Sequence, residues 1–193
     1  MNKKSLLKWC AYGLAGLTLG GALVYYNFID KVAEPGAEIG SRCPDFAVDT
    51  FTVENGQFLE GATDFVLSGN RDKLCVINFW ATWCGGCIAE LPYFNEFANK
   101  YPEVEMIAIA GLSGSMETVG NWLNNDEKCA DWNEFSITFG LYDQGDVDVF
   151  TLLGGVATWP MTVIVDEKGI VVERFEEVHS LEELEEKILP FME

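Results

Sequence analysis

The chain has 193 residues, 49% of them hydrophobic, with 12 basic and 31 acidic side chains and a formal net charge of −19. That length suits one globular unit with a full core, and the acidic balance disfavours nucleic acid or an anionic surface as a partner. Its six cysteines accompany a single histidine, and Cys10, Cys43, Cys75 and Cys129 are each isolated. The four-ligand sets of structural zinc are therefore not formed, and neither a metal nor a cofactor is expected.

Lys3, Lys4 and Lys8 open the chain, and residues 9–29 carry no charge at all. At about 1.5 Å per residue in a helix, that run is long enough to cross the hydrocarbon of a bilayer. The positive-inside rule then predicts a cytoplasmic N-terminus over 1–8, a single-pass signal anchor over 9–29, and export of everything after Asp30. The folded domain would stand on the periplasmic or outer face of the cell membrane. A cleaved signal peptide is the alternative. Its best site, Gly20-Gly21-Ala22, lies inside the apolar run and is followed by Leu23-Val24-Tyr25-Tyr26. Lys8 opposes a lipoprotein signal at Cys10, and the absence of a polar face opposes a buried soluble helix. Residues 30–40, with Glu34-Pro35-Gly36-Ala37-Glu38, read as a linker to a domain over 41–193.

Within that domain the pattern is mixed α and β. Residues 46–53 predict a strand, Asn55-Gly56 a turn, and 74–80 a second strand whose near-continuous apolar character suits the centre of a sheet. Helical spacing follows in Ile88, Leu91, Phe94, Phe97, Ala98 and Tyr101, and it resumes so promptly after Pro92 that the proline should kink the helix rather than end it. A strand over 104–110, a helix over 116–125, a strand over 137–142 and a short helix over 147–153 come next. Strands at 161–165 and 170–175 flank the turn Asp166-Glu167-Lys168-Gly169. Ser180 and Glu183 form a capping box that opens a last helix through Leu189.

Chemistry concentrates in Trp83-Cys84-Gly85-Gly86-Cys87, at the junction of the central strand and the first helix. A thiolate attacks a disulfide, so the attacking sulfur must be exposed and its pKa lowered, which the positive end of a helix dipole does. Cys84 is placed for attack and Cys87, one turn on, for resolving the mixed disulfide. The glycines put no side chain in a partner's way, and they weaken the helix start by about 1 kcal/mol each. An inert structural disulfide is the blander reading, but so small a loop constrains the unfolded chain little.

The segment from Leu74 through Asn78, Trp80, Cys84 and Cys87 to Pro92 resembles the TlpA/ResA-like branch of exported, membrane-anchored thiol–disulfide oxidoreductases. Cys43-Pro44-Asp45-Phe46 is similar to the start of that family's N-terminal hairpin. Gly155-Val156-Ala157-Thr158-Trp159-Pro160-Met161-Thr162 is similar to the loop whose proline is cis in thioredoxins. The resemblance implies a thioredoxin-like α/β fold, a central mixed sheet flanked by helices with an N-terminal β-hairpin extension. It implies that Pro160 faces the dithiol and that the backbone of Trp159 pairs with a substrate, with Trp83 also on the substrate-binding surface. It further implies that Glu90 takes the place of the buried Asp that thioredoxins carry six residues before the first cysteine, where this chain has Asn78. Glu90 would pass a proton to or from Cys87. A solvated helix-surface carboxylate is the alternative.

Direction of electron flow also comes from the resemblance: electrons from a membrane thiol transporter, delivered to oxidised exported proteins such as apocytochrome c. Trp159 is bulkier than the family's usual residue before the proline, and serves either as an aromatic platform for partners or as packing over the disulfide. The segment 124–135 is long and acidic and reads as a loop near the substrate surface or as a solvated helix end. Whether Cys43 and Cys129 pair is open, while Cys75 is expected to be a buried strand residue. Two other functions compete. A thiol peroxidase of the peroxiredoxin type would need a proline in its cysteine loop, which Thr82-Trp83-Cys84 lacks. A redox-inert docking module would use only the surface.

Overall fold

The structure, a computed structural model, describes residues 36–61, 64–70, 72–141, 149–155 and 158–192. The expected anchor over 9–29, with its flanking residues 1–8 and the first part of the linker, lies outside them. Among the described residues no helix is long and apolar enough to cross a membrane.

Among the described residues, eight strands and four α-helices follow in the order β1 (Ala47–Glu54), β2 (Gln57–Glu60), β3 (Phe65–Val66), β4 (Cys75–Trp80), α1 (Gly85–Lys100), β5 (Glu105–Ala110), α2 (Met116–Asn125), β6 (Thr138–Leu141), α3 (Val149–Leu152), β7 (Met161–Val165), β8 (Val171–Glu176) and α4 (Leu181–Ile188). The sheet order is β2-β1-β6-β5-β4-β7-β8, with β3 paired to β1. Strands β4, β5 and β6 run parallel, whereas β7 lies antiparallel beside β4 and β8 antiparallel beside β7. This mixed sheet with helices packed on it is the thioredoxin-like fold.

Every residue of β4 is buried, as its near-continuous apolar run requires of a strand covered on both faces. Alternation splits the core in two. Val76 and Trp80 pack with Leu91, Phe94 and Phe97 of α1, while Ile77 and Phe79 pack on the other face with Phe150 and Leu153. Asn78 falls on the α1 face by the same alternation, the only polar residue of the strand.

Helix α1 continues through Pro92, which removes one backbone donor but not the burial of Leu91, Phe94, Phe97 and Ala98 around it. The hairpin at Asn55-Gly56 forms with both residues at positive φ, 53° and 75°, the geometry a two-residue hairpin turn demands. Ser180 and Glu183 make the reciprocal capping box of α4.

Two segments are tied to the rest of the domain. Residues 124–135 are acidic and mostly exposed but anchored at their aromatic end. Single 3-10 turns at Glu127–Cys129 and Trp132–Glu134 tie the segment down, and Trp132 is buried, stacked on Phe139 at 5.8 Å and edge-on to Trp80 at 5.9 Å. Burying that indole leaves the acidic residues Glu127, Asp131 and Glu134 around it exposed to solvent. At the N-terminal side, Gly40 donates to Val171 O at 2.7 Å and Val171 to Ser41 O at 2.9 Å, so the end of the linker lies along the start of β8.

Candidate active site

Cys84 is the N-cap of α1, in extended conformation, and its sulfur accepts a hydrogen bond from the Cys87 N–H at 3.1 Å. The two cysteines form a disulfide, S–S 2.06 Å with Cα atoms 5.3 Å apart. Cys84 is 8% exposed and Cys87 1%, so the sulfur at the helix terminus is the more accessible. The local sequence dictates this. Strand β4 ends at Trp80, the Cys84 N–H turns back to Ala81 O at 3.0 Å, and the first helical residues are the two small glycines.

The loop after β5 fixes the segment before the cysteines. Ser113 Oγ accepts from Thr82 N–H at 3.0 Å, and the carbonyl of Leu112 accepts from Trp83 Nε1 at 2.9 Å. Leu112 itself is exposed at φ 50°, a left-handed conformation uncommon for leucine. Trp83, 58% exposed, meets Trp159 edge-on at 5.5 Å. Trp159 in turn lies 5.0 Å from Phe150, and both rings press on Gly111, where a Cβ would overlap Phe150. Trp159 is thus half-buried packing between Trp83 and Phe150 rather than a freestanding platform.

The Trp159–Pro160 peptide is cis, and Pro160 is buried. Its ring adjoins the motif: Pro160 Cδ stands 3.9 Å from where a Cβ on Gly86 would sit, and Val178 Cγ2 only 2.8 Å from the same point. The structure therefore brings Pro160, Trp159, Trp83 and the cysteine pair into one neighbourhood.

Glu90 is 1% exposed, not a solvated surface carboxylate. It lies one turn beyond Cys87 on the same face of α1. Its Oε1 accepts from the backbone N–H of His179 at 2.8 Å, and its Oε2 is 3.4 Å from Asn78 Nδ2, which also donates to Thr162 Oγ1 at 3.1 Å. Burial pushes its pKa up from 4.5 to about 7, against the opposing effect of those two donors. The carboxyl is therefore poised to exchange a proton near neutrality. Asn78 Oδ1 is buried without a hydrogen-bond partner among the described residues.

The remaining cysteines of the domain differ in kind. Cys43, Cys75 and Cys129 are all buried, with Cys43 and Cys129 in separate core clusters, so those two do not pair. Burial pushes the thiols of Cys75 and Cys129 up to about 12, which keeps them protonated and unreactive. No cluster of metal-ligating side chains occurs among the described residues. Asn78 was visible in the sequence only as a departure from the thioredoxin Asp. His179, Thr162, Ser113 and Val178 were not foreseen at the site. The one available signal was His179's position as the chain's single histidine, directly before a helix cap.

A disulfide at a helix N-terminus after the central strand, with a cis-proline beside it, defines a thiol–disulfide oxidoreductase of thioredoxin-like fold. Comparison with known proteins agrees. The AhpC/TSA family model matches residues 39–174. The chain is 31% identical to the thiol-disulfide oxidoreductase ResA of Bacillus cereus, over 90% of this chain and 92% of that protein, and 25% identical to the thioredoxin-like protein YneN of Bacillus subtilis, over 95% and 98%. Among solved structures, a thiol:disulfide interchange protein DsbE from Chlorobium tepidum superposes with a TM-score of 0.63 at 21% identity, covering 82% of this chain and all of that one. StoA from Bacillus subtilis does so at 0.56 and 20%, covering 75% and 96%. The chain belongs to the AhpC/TSA family, as a ResA-like thiol–disulfide oxidoreductase of the thioredoxin superfamily.

Proposed function

We propose that the protein is an extracytoplasmic reductant of disulfides in exported proteins, held at the cell membrane by a single-pass anchor over residues 9–29. Its electrons come from a membrane thiol transporter, and apocytochrome c, with its paired haem-site cysteines, is the substrate class the sequence resemblance favours. The reduced Cys84 thiolate attacks the substrate disulfide, and a bond forms between Cys84 and one substrate sulfur while the other leaves as thiolate. Cys87 gives its proton to Glu90 and displaces the bound sulfur, restoring the Cys84–Cys87 disulfide and releasing the substrate reduced. Trp83, Trp159 and Pro160 form the substrate contact beside Cys84.

The observation that carries this reading is the buried Glu90 one turn behind the buried Cys87. A carboxylate in a low-dielectric site disfavours a nearby thiolate, which weighs against the reduced form and makes the couple a reductant. Gly85 and Gly86 offer no cationic side chain to offset it. The decisive measurement is the reduction potential of the couple. A value near that of thioredoxin, roughly −270 mV, supports the proposal, and one near −120 mV overturns it. Insulin reduction should vanish in Cys84→Ser, and Cys87→Ser should accumulate mixed disulfides with its substrates; equal activity of wild type and Cys84→Ser would defeat the redox role altogether.

A further inference from the structure

His179 is the chain's single histidine, and it lies in the turn between β8 and α4. Eighty-nine positions separate it from Glu90, yet the two meet twice. The backbone N–H of His179 donates to Glu90 Oε1 at 2.8 Å, and the imidazole Nδ1 stands 3.5 Å from that same oxygen. The ring is nearly buried, its side chain 11% exposed, with Phe175 edge-on at 4.7 Å.

Hydrogen bonding fixes which nitrogen carries the proton. Nδ1 is 2.9 Å from the carbonyl oxygen of Glu177, which can only accept, so Nδ1 donates in the neutral ring as well as in the imidazolium. Protonation therefore occurs at Nε2 and adds a full positive charge to a ring whose Nδ1 stands 3.5 Å from Glu90 Oε1. The ring also lines a surface groove with Glu173 of β8 and Glu183, Glu186 and Lys187 of α4. The charged and titratable groups around the pair are thus these four, together with Cys87 on α1; Asn78 of β4 and Thr162 of β7 are polar and do not titrate.

We propose that His179 is the positioning residue for Glu90: its backbone N–H holds Oε1, and its imidazole, beside that oxygen, favours the carboxylate once protonated and so sets the pH range over which Glu90 exchanges a proton with Cys87. The proposal rests on the reading of Glu90 as the proton partner of Cys87. Backbone and side chain contribute separately. Any residue but proline at 179 keeps the N–H bond to Oε1, whereas the imidazole supplies a charge that responds to pH.

The test is a carboxyl NMR titration of Glu90 in the oxidised full-length protein, its signal assigned by loss in Glu90→Gln, together with the pH profile of thiol exchange. In His179→Gln the Glu90 midpoint should rise by about one unit, as expected on losing an opposite charge within a few ångströms, and the exchange profile should move alkaline with it. An unchanged midpoint overturns the proposal. Should that variant fail to fold, the His179 ring signals of the wild type serve instead. They should show a second inflection that disappears in Glu90→Gln, and a single inflection in both overturns it. An exchange profile unaltered in Glu90→Gln removes the proposal's foundation. A profile altered there but not in His179→Gln removes the role of His179 alone.

Discussion

Glu90→Gln tests the electrostatics of the site through stability, independently of any substrate. Glutamine keeps the size of the side chain and an oxygen to accept the His179 N–H, removes the ability to ionise, and turns an NH2 toward Asn78, whose unpartnered Oδ1 can accept it once the amide flips. In the unfolded chain the carboxyl loses its proton near 4.5; in the folded, oxidised protein it keeps it until about 7. Between those values the native state holds a proton that the unfolded state has lost, so rising pH favours unfolding. The stabilisation from the neutral carboxyl is complete below pH 4.5, declines from there to pH 7, and is absent above. A gap of about 2.5 pH units at 1.36 kcal/mol each amounts to about 3 kcal/mol.

Urea denaturation of both oxidised proteins from pH 4 to 8, taken as a difference, cancels the many other carboxylates. The variant should gain about 3 kcal/mol on wild type across that range, with most of the change between pH 5 and 7. A difference that stays flat with pH would mean that Glu90 ionises as freely folded as unfolded, and the proton-partner role would lose its physical basis.

Three further outcomes follow from the packing. Gly85→Ala places its Cβ in open space and should stabilise the helix start by about 0.5–1 kcal/mol, whereas Gly86→Ala meets Val178 Cγ2 at 2.8 Å and should show no such gain in thermal unfolding; equal gains would contradict the contact. Asn78→Asp would set a second carboxyl where Nδ2 now lies 3.4 Å from Glu90 Oε2. Two buried carboxyls that close cannot both ionise near neutrality, so the midpoint of the insulin-reduction pH profile should move above 7, and an unmoved midpoint refutes the shared pocket. Trp132→Ala should cost about 3–5 kcal/mol in denaturant unfolding, since the indole is enclosed by Trp80, Trp122, Phe135 and Phe139; a loss under about 1 kcal/mol, typical of a surface substitution, would return 124–135 to a solvated loop.

What could be read in the sequence was what neighbouring residues decide together. The central strand, the capping box at Ser180, the hairpin turn at Asn55-Gly56 and the redox pair at a helix start each depend on spacings of a few residues. Trp159 could not be resolved that way. Its two readings differ only in whether Trp83, Phe150 and Gly111, drawn from three separate segments, close around it. The aromatic anchoring of Trp132 was hidden for the same reason, because composition marks 124–135 as acidic whereas the fold places one indole of that segment over β4 and β6.

Glu90 shows the boundary most clearly. Its phase with Cys87 on one helix face is local and was legible; its burial is not, because that needs β4 beneath it and the β8–α4 turn across it. The resemblance already implied that Glu90 replaces the thioredoxin aspartate where this chain has Asn78, but not how the two residues meet. In the structure Asn78 and Glu90 share one pocket, and the substitution is what that sharing requires. Two carboxylates 3.4 Å apart in a dry site would repel, so a chain that supplies the acid from α1 must supply a neutral donor from β4. The acid has moved from the strand to the helix, and the turn that carries His179 closes over it, giving the buried carboxylate two donors from elements far apart in sequence.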